Sequence, residues 1–104
     1  ANHFDLLQSV CRDEWGYNGL IMTDWYTSQD VPAFTGVSAC YPVSSSTGCV
    51  KAGNDLQMPG SQKNLDDIVN AITSGVDLDG YRITLGDLQF CAANVIRAAL
   101  RMNP

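Results

Sequence analysis

An α/β fold cut from a larger sheet or barrel is what this sequence predicts, and three observations predict it. First, "LIMTDW" at residues 20–25 is apolar without alternation, the pattern of a strand buried on both faces. Second, helical periodicity lies on either side of that strand. Third, the chain offers at most one other strand-like stretch, inside "CVKAGNDLQMPG", so an edge of the first strand would stay open. The expected order is helix, strand, long loop, short strand, helix, helix, in one partial domain spanning residues 1–104.

Each element has a local reason. Residues 2–14 read as a helix, with Asn2 as N-cap, Asp5 in the first turn and an apolar stripe of Leu6, Leu7, Val10 and Cys11. "WGYNG" breaks it, and the strand follows. Residues 27–49 form a polar loop with Pro32, Pro42 and the run "SSSTG"; loops of that length are more often functional than idle. A helical turn to Ala52, a stop at Gly53 and a short strand come next. Ser61 caps a helix that places Leu65, Ile68, Val69 and Ile72 on one side and ends at Gly75. "VDLDGYR" is a turn. "TLGD" is a capping box opening the last helix, with Leu88, Cys91, Ala92, Val95, Ile96, Ala99 and Leu100 as its apolar positions.

Composition narrows the function. The net charge of −5 offers no basic surface to a nucleic acid or an anionic membrane. No apolar run approaches the ~20 residues that span a bilayer, and no signal-peptide pattern opens the chain. The four cysteines, Cys11, Cys40, Cys49 and Cys91, lack paired C-x-x-C spacing and lie far from the single His3, which argues against zinc. Cys11 and Cys91 fall on apolar helix faces. Cys40 and Cys49 flank a loop that a disulfide could close, but the expectation is a reduced, cytoplasmic protein.

The residue that asks for chemistry is Asp24. An acid just past a buried strand occupies the position where active sites of α/β proteins gather, although an Asp can equally cap the next turn. Trp25 and Tyr26 tilt the balance, because large aromatics beside an acid make a poor solvent-facing turn and a good wall for a sugar. Two chemistries use such a carboxylate as nucleophile. A phosphatase of the haloacid dehalogenase type fits "DWYTS" in part, but it needs a downstream Lys and paired metal-binding acids. Lys51, Lys63 and Asp87 supply these poorly. Retaining glycoside hydrolysis needs a carboxylate to attack the anomeric carbon and a second carboxyl group ~5–5.5 Å away.

For the second chemistry the residues carry a resemblance. "LLQSVCRDEWGYNGLIMTDW" is similar to the nucleophile segment of glycoside hydrolase family 3, through Leu6, Leu7, Arg12, Glu14, Trp15, Gly16, Tyr17, Gly19, Asp24 and Trp25. "KAGNDLQMPG" resembles a second motif of that family through Ala52, Gly53, Asp55, Met58, Pro59 and Gly60, and the closing helix resembles the end of its barrel domain. Thr23 stands where Ser is commoner; both carry a hydroxyl.

The resemblance implies the last two βα units of a TIM-like (β/α)8 barrel, incomplete as an isolated chain, and the nucleophile-bearing part of a retaining exo-β-glucosidase. Asp24 would be the nucleophile, with Trp25, Tyr26 and Met58 against a β-glucoside or oligosaccharide. It implies no metal and no organic cofactor. Sugar-gripping residues and the acid/base are expected elsewhere, in the rest of the barrel and an α/β sandwich domain, so the chain alone should be inactive. An alternative is a non-catalytic unit whose open edges and apolar helix faces drive self-association.

Among the supporting residues, Glu14 is expected to be structural rather than an acid/base. Arg12 is expected to pair with a nearby acid. Asp55 is expected to orient the amides of the "MPG" turn, in preference to binding substrate. His3 is expected to be a solvated first-turn residue.

Overall fold

The computed structural model describes residues 1–25, 36, 44–75 and 82–102. Its elements are four helices: α1 (Asp5–Glu14), α2 (Ser46–Lys51), α3 (Gln62–Ser74) and α4 (Leu85–Met102). The expected α/β fold, with two βα units of a (β/α)8 barrel, is not what these residues adopt. Extended backbone pairs at a single parallel bridge, Met22 with Leu56, and no sheet forms among the described residues.

The reason lies in the partner stretch. Ile21 O accepts from Asp55 N–H (2.7 Å) and Leu56 N–H (3.3 Å), and Thr23 N–H donates to Leu56 O (3.0 Å). One side of this short register is closed by the end of α2 and the other by Pro59, which has no N–H to continue a ladder. The 20–25 strand therefore meets a partner long enough for one bridge.

Helix α2 starts inside the stretch assigned to the 27–49 loop. Ser45 caps it, its side chain accepting from Gly48 N–H at 3.0 Å. It ends in a Schellman motif: Gly53 N–H reaches Val50 O and Asn54 N–H reaches Cys49 O, each at 3.0 Å. Gly53 supplies the positive φ of 86° that this reversal requires. Asn54 Nδ2 also bonds Cys49 O (3.0 Å) and Ala1 O (2.8 Å), tying the start of the chain to the same point.

Helix α3 begins and ends, and α4 begins, as the sequence predicts. Ser61 caps α3, accepting from Asn64 N–H, and Gly75 ends it in the left-handed region. Thr84 and Asp87 form the reciprocal capping box of α4, with Thr84 N–H to Asp87 Oδ2 at 2.8 Å and Asp87 N–H to Thr84 Oγ1 at 3.1 Å. The turn assigned to "VDLDGYR" lies outside the described residues apart from Arg82.

Helix α1 differs from its prediction. It is wound at π pitch, ending with Trp15 N–H on Val10 O. Asn2 does not cap it; Asn2 Oδ1 accepts from the Cys49 thiol at 3.4 Å instead. His3, exposed as expected, has a role there: its Nδ1 accepts from Leu6 N–H at 3.1 Å, satisfying a donor the first turn leaves open.

The core is small. Val50, Ala71, Ile83 and Cys91 are buried together, with Ile68 and Ile72 packed against them. α2 packs on both α3 and α4 to make it. Each apolar side chain fully removed from water contributes ~1.5–3 kcal/mol, yet many stay outside. Leu65 and Val69 of the predicted α3 stripe are exposed, as are Ile96 and Leu100 of α4 and Leu6 of α1. A helical period defines which residues share a face; it does not supply a neighbour to cover them.

Candidate active site

Two linked features surround the end of the 20–25 stretch: a closed polar knot beneath it and an open acid at its tip. The knot centres on Asp55, whose side chain has no exposed surface. Its Oδ2 accepts from Arg12 Nη2 (2.8 Å) and from Ile21 N–H (2.8 Å), and its Oδ1 from Asn94 Nδ2 (2.9 Å). Arg12, with a side chain 6 % exposed, also donates to Gly19 O (3.2 Å) and Gly53 O (3.0 Å). Its guanidinium carbon lies 5.1 Å from the centroid of the Phe90 ring. Arg12 Nε is buried with no acceptor.

A bare charge pair in such a place would be costly. Here the additional hydrogen bonds satisfy both Asp55 oxygens and both terminal nitrogens of Arg12, and the pair joins α1, the 19–21 backbone, the 53–55 turn and α4. The expected Arg12 pairing is thus met by an enclosed partner. Asp55 does not hold the "MPG" amides as expected; its acceptors are used on Arg12, Ile21 and Asn94. Both charges were visible within the two motifs, but 43 residues separate them, and nothing local says they meet.

Asp24 lies three residues beyond the anchored Ile21 and is exposed. Its Oδ1 accepts from Trp25 N–H at 2.7 Å, the bond of an acid that also turns the chain. Trp25, the next residue along, is a large aromatic that is 58 % exposed. Met58, half-buried, reaches this region through Thr23: its N–H donates to Thr23 Oγ1 at 2.8 Å. Tyr26 lies outside the described residues.

Thr23 and Met58 share one wall of a cleft of about 320 Å³, together with Gln57, Pro59, Ser46 and Asn64. Its lining carries no charged side chain and mixes hydroxyl and amide groups with the apolar Cys49, Met58 and Pro59; part of it is braced from within. Asn64 Nδ2 bonds Ser46 Oγ (2.6 Å) and Gln57 Nε2 bonds Ser46 O (2.9 Å). Neutral hydroxyl and amide groups with no cation among them suit a polyhydroxylated ligand better than a phosphate. The phosphatase reading loses its Asp87, which caps α4 and pairs with Lys51 Nζ at 3.5 Å. No group of acids, histidines and cysteines among the described residues could hold a metal ion.

The two buried thiols, Cys49 and Cys91, are inert in kind. Cys11, Cys49 and Cys91 are free, while Cys40 lies outside the described residues. Burial raises the Cys49 thiol above its ordinary range. Burial first, and then the charge of Asp55, push Cys91 up to about 12. Both stay protonated at neutral pH and act as small hydrophobes.

No family model matches the chain. Curated relatives do. The chain is 36 % identical over 95 residues (91 % of its length) to an exo-α-(1→6)-L-arabinopyranosidase of Bifidobacterium breve. It is 31 % identical over 102 residues, and so through both motifs, to an enzyme of the same name from Bifidobacterium longum. It is 32 % identical over 81 residues (76 % of its length) to β-glucosidase B of Emericella nidulans. These matches take up 10 %, 11 % and 8 % of the respective relatives, so the chain spans about a tenth of the curated proteins it matches. The chain is therefore a relative of glycoside hydrolases. Within them it is akin to one segment of enzymes of the β-glucosidase and exo-arabinopyranosidase kind.

Proposed function

We propose that the chain is the nucleophile-bearing segment of a retaining family 3 exo-glycosidase acting on terminal β-linked glucose. The observation that carries this reading is the exposed Asp24–Trp25 pair at the end of an anchored backbone, in a segment that aligns with a named glycosidase over 98 % of its length. Asp24 attacks the anomeric carbon as the bond to the leaving oxygen breaks, giving a glycosyl-aspartate; water then attacks the same carbon and frees the carboxylate. Trp25 and Met58 contribute apolar surface to the sugar. The acid that protonates the leaving oxygen, and the groups that grip the sugar hydroxyls, belong to parts of the enzyme beyond this segment.

A second reading, a terminal α-L-arabinopyranosidase, is favoured by the names of the two Bifidobacterium relatives. Both sugars are pyranoses that present an equatorial leaving group, so the same attack serves either. The test is Asp24→Asn in the full-length enzyme, assayed on nitrophenyl β-glucoside and nitrophenyl α-L-arabinopyranoside. The substitution is expected to cut turnover by about 10³-fold or more, and the wild-type preference distinguishes the two sugars. Near-normal turnover of the variant on both would overturn the assignment.

A further inference from the structure

The carboxylate of a covalent nucleophile has to be held where it attacks, and the exposed Asp24 has one deeply anchored neighbour. Thr23 is 7 % exposed. Its N–H donates to Leu56 O at 3.0 Å, as in any parallel bridge. Its side chain adds a bond that no ladder would supply: Oγ1 accepts from Met58 N–H at 2.8 Å. Asp55 anchors the backbone at Ile21, three residues before Asp24, and the Thr23 hydroxyl anchors it one residue before. The same bond fixes Met58, which shares the cleft wall with Thr23.

We propose that Thr23 is a positioning residue for Asp24, its hydroxyl locking the nucleophile's backbone to the Met58 segment so that carboxylate and cleft keep one geometry. This deepens the glycosidase reading and rests on it. The residue type follows from the contact. Valine has the shape of threonine but no acceptor, and would leave the half-buried Met58 N–H without its partner. Serine keeps the acceptor and loses only a methyl group, so hydroxyl chemistry, not bulk, is what the position requires. Since displacing a reacting group by about 1 Å costs on the order of 10²-fold, a slackened anchor acts on the rate of attack and leaves ground-state affinity nearly alone.

The test uses the full-length enzyme with Thr23→Ser, Thr23→Ala and Thr23→Val. Two quantities are compared: the rate of covalent trapping by a 2-fluoro-glucoside with a good leaving group, and the affinity for free glucose as a competitive inhibitor. Serine is expected to trap within about threefold of wild type. Alanine and valine are expected to slow trapping by about tenfold or more, with glucose affinity changed less than threefold. Should valine fail to fold, the serine–alanine pair carries the comparison. Wild-type trapping in the alanine variant, equal loss in serine and alanine, or trapping and glucose affinity lost in proportion would each overturn the proposal. A wild-type enzyme labelled at a residue other than Asp24 would instead sink the glycosidase assignment beneath it.

Discussion

Asp55 and Asp24 occupy opposite ends of one arrangement: an enclosed carboxylate that ties the chain together, and an exposed one that we propose to be the nucleophile. Asp55 is fully enclosed, with Arg12, Ile21 N–H and Asn94 on its two oxygens. An acid so engaged cannot approach a substrate. Asp24 is exposed, bonded at Oδ1 to its neighbour's backbone and flanked by an exposed tryptophan. The closed site fixes the chain; the open site is placed to use it. Thr23 stands between the two and belongs to both.

The strongest way to break the closed side is Asp55→Ala. It leaves the Arg12 guanidinium buried without its carboxylate and frees Ile21 N–H, so a loss of ~3–5 kcal/mol is expected, read as a lower urea midpoint of the full-length enzyme. A loss below ~1 kcal/mol would mean that the knot is not what holds the 19–24 backbone. A smaller and purely local effect is expected at Thr84→Ala, which removes the cap of α4: ~1 kcal/mol, with the nucleophile unaffected. If that variant lost glycosylation as severely as the Asp24 variant, the separation between scaffold and site would fail.

An effect confined to alkaline pH, and absent at neutrality, sharpens the closed side through Cys91, which the Asp55 charge also reaches. In the unfolded chain this thiol ionises near the ordinary 9.0, whereas in the folded protein burial and Asp55 hold it to about 12. Between those values the folded state binds more protons. The Cys91 contribution is therefore fully present below pH 9.0 and is lost as pH rises toward about 12. Stability measured against pH should fall less steeply over that window in Cys91→Ala than in wild type, and identical slopes would contradict the burial argument.

The sequence carried both ends of α3 and the start of α4 because their signals are local, whereas Asn2 does not cap α1 and the start of α2 fell within the expected loop. Ser61 with Asn64, Thr84 with Asp87, and Gly75 each meet within four residues. The strand failed for the opposite reason. "LIMTDW" states that its residues prefer an extended, covered conformation, but a ladder requires a partner of matching length. The stretch around Leu56 ends at Pro59 after one bridge. Asp24 and Trp25 could be offered as candidates from their types and context, whereas the Thr23–Met58 bond and the Asp55 knot join residues 34 to 43 apart.

The most direct test of the contrast between the two aspartates is to inactivate the full-length enzyme with a 2-fluoro-glucoside bearing a good leaving group and locate the label by peptide mass spectrometry. The account predicts the sugar on Asp24 and none on Asp55. An active enzyme labelled elsewhere would show that Asp24 is structural, and that the open end of the strand is not where the chemistry occurs.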